Sequence, residues 1–208
     1  VSDKSELLLE FINTRRSVRS FVQKPISKND IEDIVEAGLR APSSKNSQPW
    51  YILVLQGEDK DKVCDWVLSR KDEVNFGLPE MIDGMKTESP LNSTLMSLDI
   101  IKDSQALILI FNRGPFTGGS KERGKDPSRD VLIGNELVGI GACMENMLLA
   151  AHAIGLGAVA MMDIWPAAER IKAEYSIDYD FVVGLAIGKS DFSSPKRKIE
   201  PEKFSRFV

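Results

Sequence analysis

The stretch Glu145-Asn146-Met147-Leu148-Leu149-Ala150-Ala151-His152-Ala153-Ile154-Gly155-Leu156-Gly157-Ala158-Val159-Ala160 decides how this chain folds. Its second half fits a dinucleotide fingerprint in form, with Gly155, Gly157 and Ala160 in the three small-residue places. That fingerprint must follow a strand and open a helix, so that a phosphate meets the helix N-terminus. Here the order is reversed. Upstream, Leu137, Ile140, Gly141, Met144, Met147, Leu148 and Ala151 recur at spacings of three and four, which predicts one long helix over Ser128–Ile154. Gly155 stops that helix, and Leu156 to Met162 reads as a strand leading into Asp163-Ile164-Trp165. A Rossmann reading therefore fails on context, and a helix apolar nearly all round belongs in a core or a subunit interface. His152, the only histidine, lies at its C-terminal end. The helix dipole favours a positive imidazole there, a structural role rather than a catalytic one.

Working outward, Pro166 opens a short helix to Tyr175, and Asp180 to Gly188 forms another buried strand. On the other side, Ala106 to Phe111 and Trp50 to Gln56 are buried strands. Residues 3 to 13 form a helix with Leu7, Leu8, Phe11 and Ile12 on one face. Ser27 and Asp30 bracket the start of a second helix as a near capping box, with aspartate in place of glutamate. Its apolar ladder is Ile31, Ile34, Val35 and Leu39, and Gly38 weakens its end. A third helix covers Lys60–Arg70. From Lys71 to Ser97 the pattern dissolves, punctuated by Gly77, Pro79, Gly84 and Pro90. Phe76, Met81 and Met85 make this segment an apolar candidate for a substrate lid. Gly114 to Lys121 resembles a phosphate loop, but its last two residues are reversed and it runs on into loop and Pro127. No repeat or linker divides the chain, so residues 1–208 form a single domain.

Composition narrows the function. The chain has 208 residues, 42% hydrophobic and 28% charged, with a formal net charge of -4, an ordinary globular profile. No uninterrupted apolar run approaches the ~18 residues that suggest a membrane span, and residues 1–10 lack signal-peptide features. The expectation is a cytoplasmic protein without membrane or nucleic-acid partners. Cys64 and Cys143 match no metal-ligand spacing and read as buried reduced thiols; no metal site is expected. Against this acidic background, Thr14-Arg15-Arg16-Ser17-Val18-Arg19-Ser20-Phe21 concentrates three guanidinium groups. Arginine's planar fork suits bidentate contact with phosphate or carboxylate, so the cluster reads either as an anion site or as a solvated basic patch. Two more polar segments complete the candidates: the loop Arg40-Ala41-Pro42-Ser43-Ser44-Lys45-Asn46-Ser47-Gln48-Pro49, and the basic tail Lys196-Arg197-Lys198.

Arg15-Arg16-Ser17-Val18-Arg19, the loop Ala41–Trp50, the segment Glu145–Gly157 and the basic tail, in this order, resemble the nitroreductase family of FMN-dependent oxidoreductases. The resemblance implies an α+β fold, a three-layer α/β/α sandwich around a mixed, mainly antiparallel sheet. It also implies a homodimer with FMN at the subunit interface and a tail, residues 189–208, exchanged between subunits. By the same resemblance, Arg15, Arg16, Ser17 and Arg19 bind the FMN phosphate and ring, with Arg19 near the polar edge of the flavin. Pro42, Ser43, Ser44 and Asn46 reach the flavin of the other subunit, and Lys196 and Lys198 reach the phosphate. Met161 and Met162 line the flavin, and the backbone of Met162 and Asp163 passes its N5. Asn92 or Ser97 stands near the place of a side-chain amide common in relatives. The implied reaction is ping-pong hydride transfer from NAD(P)H to FMN and then to a nitroaromatic, quinone or similar acceptor. Such chemistry needs little side-chain acid–base help, in keeping with a chain holding one histidine. A dehalogenase, a flavin-fragmenting enzyme and a non-catalytic flavin-binding protein are the alternatives on the same fold.

Overall fold

The computed structural model describes residues 3–74, 81–82, 85–86, 89–119, 127–192 and 200–206. Its centre is a four-stranded antiparallel sheet of β1 (Trp50–Leu55), β4 (Ala106–Asn112), β5 (Gly157–Met161) and β6 (Asp180–Gly188), in the order β1-β4-β6-β5. A two-residue hairpin, β2 (Met81–Ile82) with β3 (Met85–Lys86), stands apart from it. Around them, besides short 3-10 turns, the described residues form six α-helices: α1 (Asp3–Thr14), α2 (Lys28–Leu39), α3 (Gly57–Leu68), α4 (Pro90–Asp103), α5 (Pro127–Ala153) and α6 (Ala168–Glu174).

Strand periodicity generates the layers. Successive side chains point to opposite faces, and β4 is buried along its whole length. Leu107, Leu109 and Phe111 pack with Val63, Cys64 and Val67 of α3, Leu98 and Ile101 of α4, and Ile171 of α6. Ile108 and Ile110 pack instead with Ile34 of α2 and with Ile140, Cys143, Met147 and Leu148 of α5. Two apolar cores thus sandwich one sheet, giving the expected α/β/α arrangement. The sheet's parallel element is a bridge between Ser17 and Ala158 at the β5 edge.

Local chemistry explains the helix positions. Ser27 and Asp30 form the expected reciprocal capping box, at 3.0 and 2.9 Å. Gly38 does more than weaken α2: a Cβ there would lie 2.4 Å from Met147 Cε, so the glycine sets how closely α2 approaches α5. The buried Lys60 ammonium donates to the carbonyls of Ile101 and Lys102, at 2.7 and 3.0 Å, where α4 ends, a favourable place for a cation. By length and composition α5 could cross a membrane; here it packs on the sheet against α2.

One expectation is corrected. The stretch 71–97 is not irregular throughout, because α4 begins at Pro90 with Ser89 as its N-cap. Thr94 and Ser97 occupy its buried face while Leu91, Leu95 and Met96 are exposed, which scrambles the apolar period. Phe76 of the expected lid lies outside the described residues, and Met81 and Met85 are placed only by backbone, in the hairpin.

Candidate active site

The segment after α1 runs beside the exposed edge of the sheet. Val18 N donates to Ala158 O at 3.0 Å, and Val22 N to Lys189 O at 2.8 Å. Gly157 makes the approach feasible, since a Cβ there would lie 2.6 Å from Val18 Cγ1. This pairing carries the arginine cluster onto the junction where α5 ends and β5 begins. A cavity of about 430 Å³ opens there, lined by residues that include Arg15, Arg16, His152, Gly157 and Ala158.

Arg15 Nε donates to Glu145 Oε1 of α5 at 3.0 Å, a bond that engages Nε rather than the terminal Nη edge. Arg16 Nη1 donates to the carbonyls of Asn13 and Arg15, at 2.9 and 2.6 Å. Both arginines are half-buried, whereas Ser17 and Arg19 are exposed. Among the described residues Arg19 Nη1 reaches Ser17 O, at 3.5 Å. His152 was expected to be a cation on the helix dipole. Partial burial, then Arg15 and Arg16, instead push its pKa below the usual histidine value. Burial, with the two arginines of the segment after α1, outweighs the dipole.

Downstream, β5 ends with Met161 buried and Met162 exposed. Asp163 is fixed by α4: Ser97 Oγ donates to Oδ2 at 2.8 Å and Thr94 Oγ1 approaches Oδ1 at 3.4 Å. Ser97 therefore holds the carboxylate at the end of β5, and Asn92 contributes its backbone N–H to the Ser89 cap at 3.2 Å.

The loop with Pro42, Ser43, Ser44 and Asn46 lies elsewhere. Lys45, Asn46 and Gln48 all adopt positive φ, at 51, 53 and 47°, a conformation costly for non-glycine residues and concentrated at functional sites. Gln48 N donates to Ser43 Oγ at 3.0 Å, and Asn46 N to Ser43 O at 3.0 Å, closing the turn. This loop packs against Gly139, whose Cβ would lie 3.2 Å from Ser43 Cβ. From Gly139 to His152 the α5 axis runs on the order of 20 Å at 1.5 Å per residue, so one chain does not bring its own loop to its own cavity. Lys196 and Lys198 lie outside the described residues.

Two features escaped the sequence reading. His152 faces an anion-suited cavity, and the clue was its position inside the deciding stretch. Glu136 of α5 is buried; its carboxylate accepts from Asn112 Nδ2, Thr117 Oγ1 and Phe116 N, at 2.9, 2.9 and 2.8 Å. Its clue was a lone acid between Ile133 and Ile140 on the buried face. Among the described residues no cluster suited to a metal occurs. Both cysteines are free and buried, and burial raises their thiol pKa values to about 11 for Cys64 and about 12 for Cys143.

Comparison with known proteins assigns this arrangement. Residues 12–189 match the model of the nitroreductase family. The chain belongs to that family. Its enzyme class is that of an NAD(P)H-dependent oxidoreductase of the nitroreductase type. A nitrobenzene nitroreductase of Ectopseudomonas oleovorans is 25% identical over 229 residues, covering 98% of each chain. The FMN-dependent nitroreductase NfnB of Mycobacterium smegmatis, solved in complex with NADPH, superposes with a TM-score of 0.73 at 15% identity, covering 99% of this chain and 100% of its own. An iodotyrosine deiodinase of Danio rerio is 28% identical over 74 residues, 36% of this chain and 25% of its own.

Proposed function

We propose that the chain binds FMN and moves hydride from NAD(P)H, through the flavin, to a nitroaromatic, quinone or similar acceptor in a ping-pong cycle. The observation that carries this reading is the convergence of Arg15 and Arg16 on a cavity at the α5–β5 junction, in a chain matching the nitroreductase family over residues 12–189. The residues fit a phosphorylated cofactor. Two half-buried guanidinium groups supply charge-assisted donors, and the cavity walls around Leu148, Leu156 and Ala158 are apolar.

When bound, FMN supplies the hydride-accepting and hydride-donating centre. Arg15, Arg16 and Ser17 would hold its phosphate, joined by Lys196 and Lys198. Arg19 would place positive charge at the polar edge of the ring, where reduction accumulates negative charge. The backbone at Met162 and Asp163, steadied by Ser97, would offer an N–H to the reacting face. Met161 and Met162 would supply apolar contact, and the part of the 71–97 lid segment that precedes α4 would enclose a planar acceptor.

Pro42, Ser43, Ser44 and Asn46 would come from a second copy of the chain. Two observations support this homodimer. The loop lies far from its own cavity along α5, and the two helices that meet at their C-terminal ends leave apolar side chains uncovered. Leu7, Leu8, Leu9 and Ile12 of α1 are 48–60% exposed, and Val131 and Val138 of α5 are 65 and 74% exposed. Phe204, 80% exposed, suits a tail that anchors on another subunit.

Purified protein is expected to be yellow or to become so with FMN, and to oxidise NADH or NADPH when a nitroaromatic or quinone is supplied. A preparation that stays colourless after incubation with FMN refutes the reading. The short deiodinase match favours adding a halogenated phenol to the acceptor screen. FMN loading without turnover on any acceptor would point to a flavin-binding protein instead.

A further inference from the structure

Resting on the FMN reading above, we propose that His152 is a further, proton-linked cation of the cofactor's phosphate site. It is neutral before FMN binds and takes up a proton as the phosphomonoester enters.

The geometry begins with the hydroxyl of Thr14. Thr14 Oγ1 lies 2.7 Å from Glu10 O and 2.9 Å from His152 Nε2. A hydroxyl has one proton to donate, and the short contact to a carbonyl, which can only accept, takes it. Nε2–H is then the donor to Thr14 Oγ1. The neutral ring therefore carries its lone pair on Nδ1, and Nδ1 is the atom that gains a proton. Phe11 fixes the ring from the α1 side by an edge contact, with centroids 5.9 Å apart.

Among the described residues, the charged groups around the ring act on this proton. Arg15 and Arg16, from the segment after α1, oppose a charge on the imidazole, as does its partial burial. Glu145, about two turns earlier on the same face of α5, is engaged by Arg15 at 3.0 Å. Ser190, from the segment after β6, is an uncharged member of the same cavity wall. A phosphomonoester among Arg15, Arg16 and His152 would offset the arginines that hold the imidazole neutral. Protonation would then become favourable, adding a charge-assisted contact. Binding coupled to proton uptake strengthens as pH falls through the interval between the free and bound pKa values. The lower edge of that interval lies below the ordinary histidine value, and its upper edge above the free value.

Isothermal titration of flavin-free, full-length protein with FMN at about pH 7.5, in buffers of different ionisation heat, reads the proton directly. Net uptake is expected in the wild type and not in His152→Gln. Between about pH 8.5 and 6.5 the FMN dissociation constant should fall roughly three- to tenfold in the wild type, one pKa unit corresponding to tenfold; in the variant it should stay flat or rise slightly at the acid end, where the phosphate's own second proton, with a pKa of about 6, begins to return. Riboflavin, which lacks the phosphate, should bind without this dependence to either protein. His152→Asn serves as a second variant, and the wild-type uptake stands even if neither variant folds. Equal pH dependence in wild type and variant, or zero proton uptake by the wild type, overturns the proposal while leaving FMN binding intact. Failure of FMN to bind at any pH overturns the reading beneath it as well.

Discussion

Arg15 separates binding from stability. Its ion pair with Glu145 is partly exposed, at 27 and 42% for the two side chains, and such pairs contribute about 0–1 kcal/mol. Arg15→Ala should therefore barely move the melting temperature. A charge-assisted hydrogen bond to phosphate is worth about 1.5–3 kcal/mol, so FMN affinity should drop roughly tenfold or more in a fluorescence titration. An unchanged dissociation constant would remove Arg15 from the site. His152 gives a second test, on the flavin-free protein. Its folded pKa lies below the 6.5 of an ordinary histidine, so near that pH the unfolded chain binds the extra proton. Stability should fall as pH drops through that value, and thermal melts should show a smaller fall for His152→Gln. The arginine cluster was legible from composition alone, being basic and dense in an acidic chain. The state of His152 was not, because a helix dipole can be read from chain position whereas its burial, and two arginines brought near by the pairing of Val18 with Ala158, cannot.

At the scale of elements, the site depends on how tightly the segment after α1 lies against β5. Gly157→Ala would push a methyl to within 2.6 Å of Val18 Cγ1. Overpacking of this kind typically costs about 1–3 kcal/mol. Here it should also displace Arg15 and Arg16, so lowered stability and weakened FMN binding should appear together in melts and titrations. A melt shifted without any change in FMN affinity would separate the segment from the site. The strands and long helices could be read in the sequence because buried strands are continuous apolar runs and α5 repeats at three and four. Helix α4 could not, since Thr94 and Ser97 fill buried positions that the pattern treats as polar surface. Their partner Asp163 explains them, and it lies 66 residues beyond Ser97. The loop from Ser43 to Gln48 was visible as polar and proline-bracketed. Its three left-handed residues, Lys45, Asn46 and Gln48, carry no glycine signal, and only the fold reveals them.

For the whole molecule, the separation between the Ser43–Gln48 loop and the cavity makes the homodimer part of the active-site proposal. Val138 is 74% exposed on α5, and placing a charge there should oppose burial against a second copy. Val138→Glu should shift the mass from dimer to monomer in light scattering and lose FMN with it. A monomer that retains full FMN affinity would contradict the two-chain site. The layered α/β/α architecture followed from the family resemblance, whereas the strands and helices that build it were legible as apolar runs and helical periods. Which faces remain for another subunit was not, because exposed apolar residues such as Val131 and Leu8 keep the same period as the core. The central claim is that this fold works as an FMN oxidoreductase, and one measurement tests it most directly. Purified protein is incubated with FMN, stripped of excess by gel filtration, and mixed with NADH or NADPH without oxygen while the flavin absorbance near 450 nm is followed. Retained flavin is expected, its absorbance bleaching with the pyridine nucleotide and returning on addition of a nitroaromatic or quinone. Retained flavin that neither nucleotide bleaches, or a colourless protein, would contradict it.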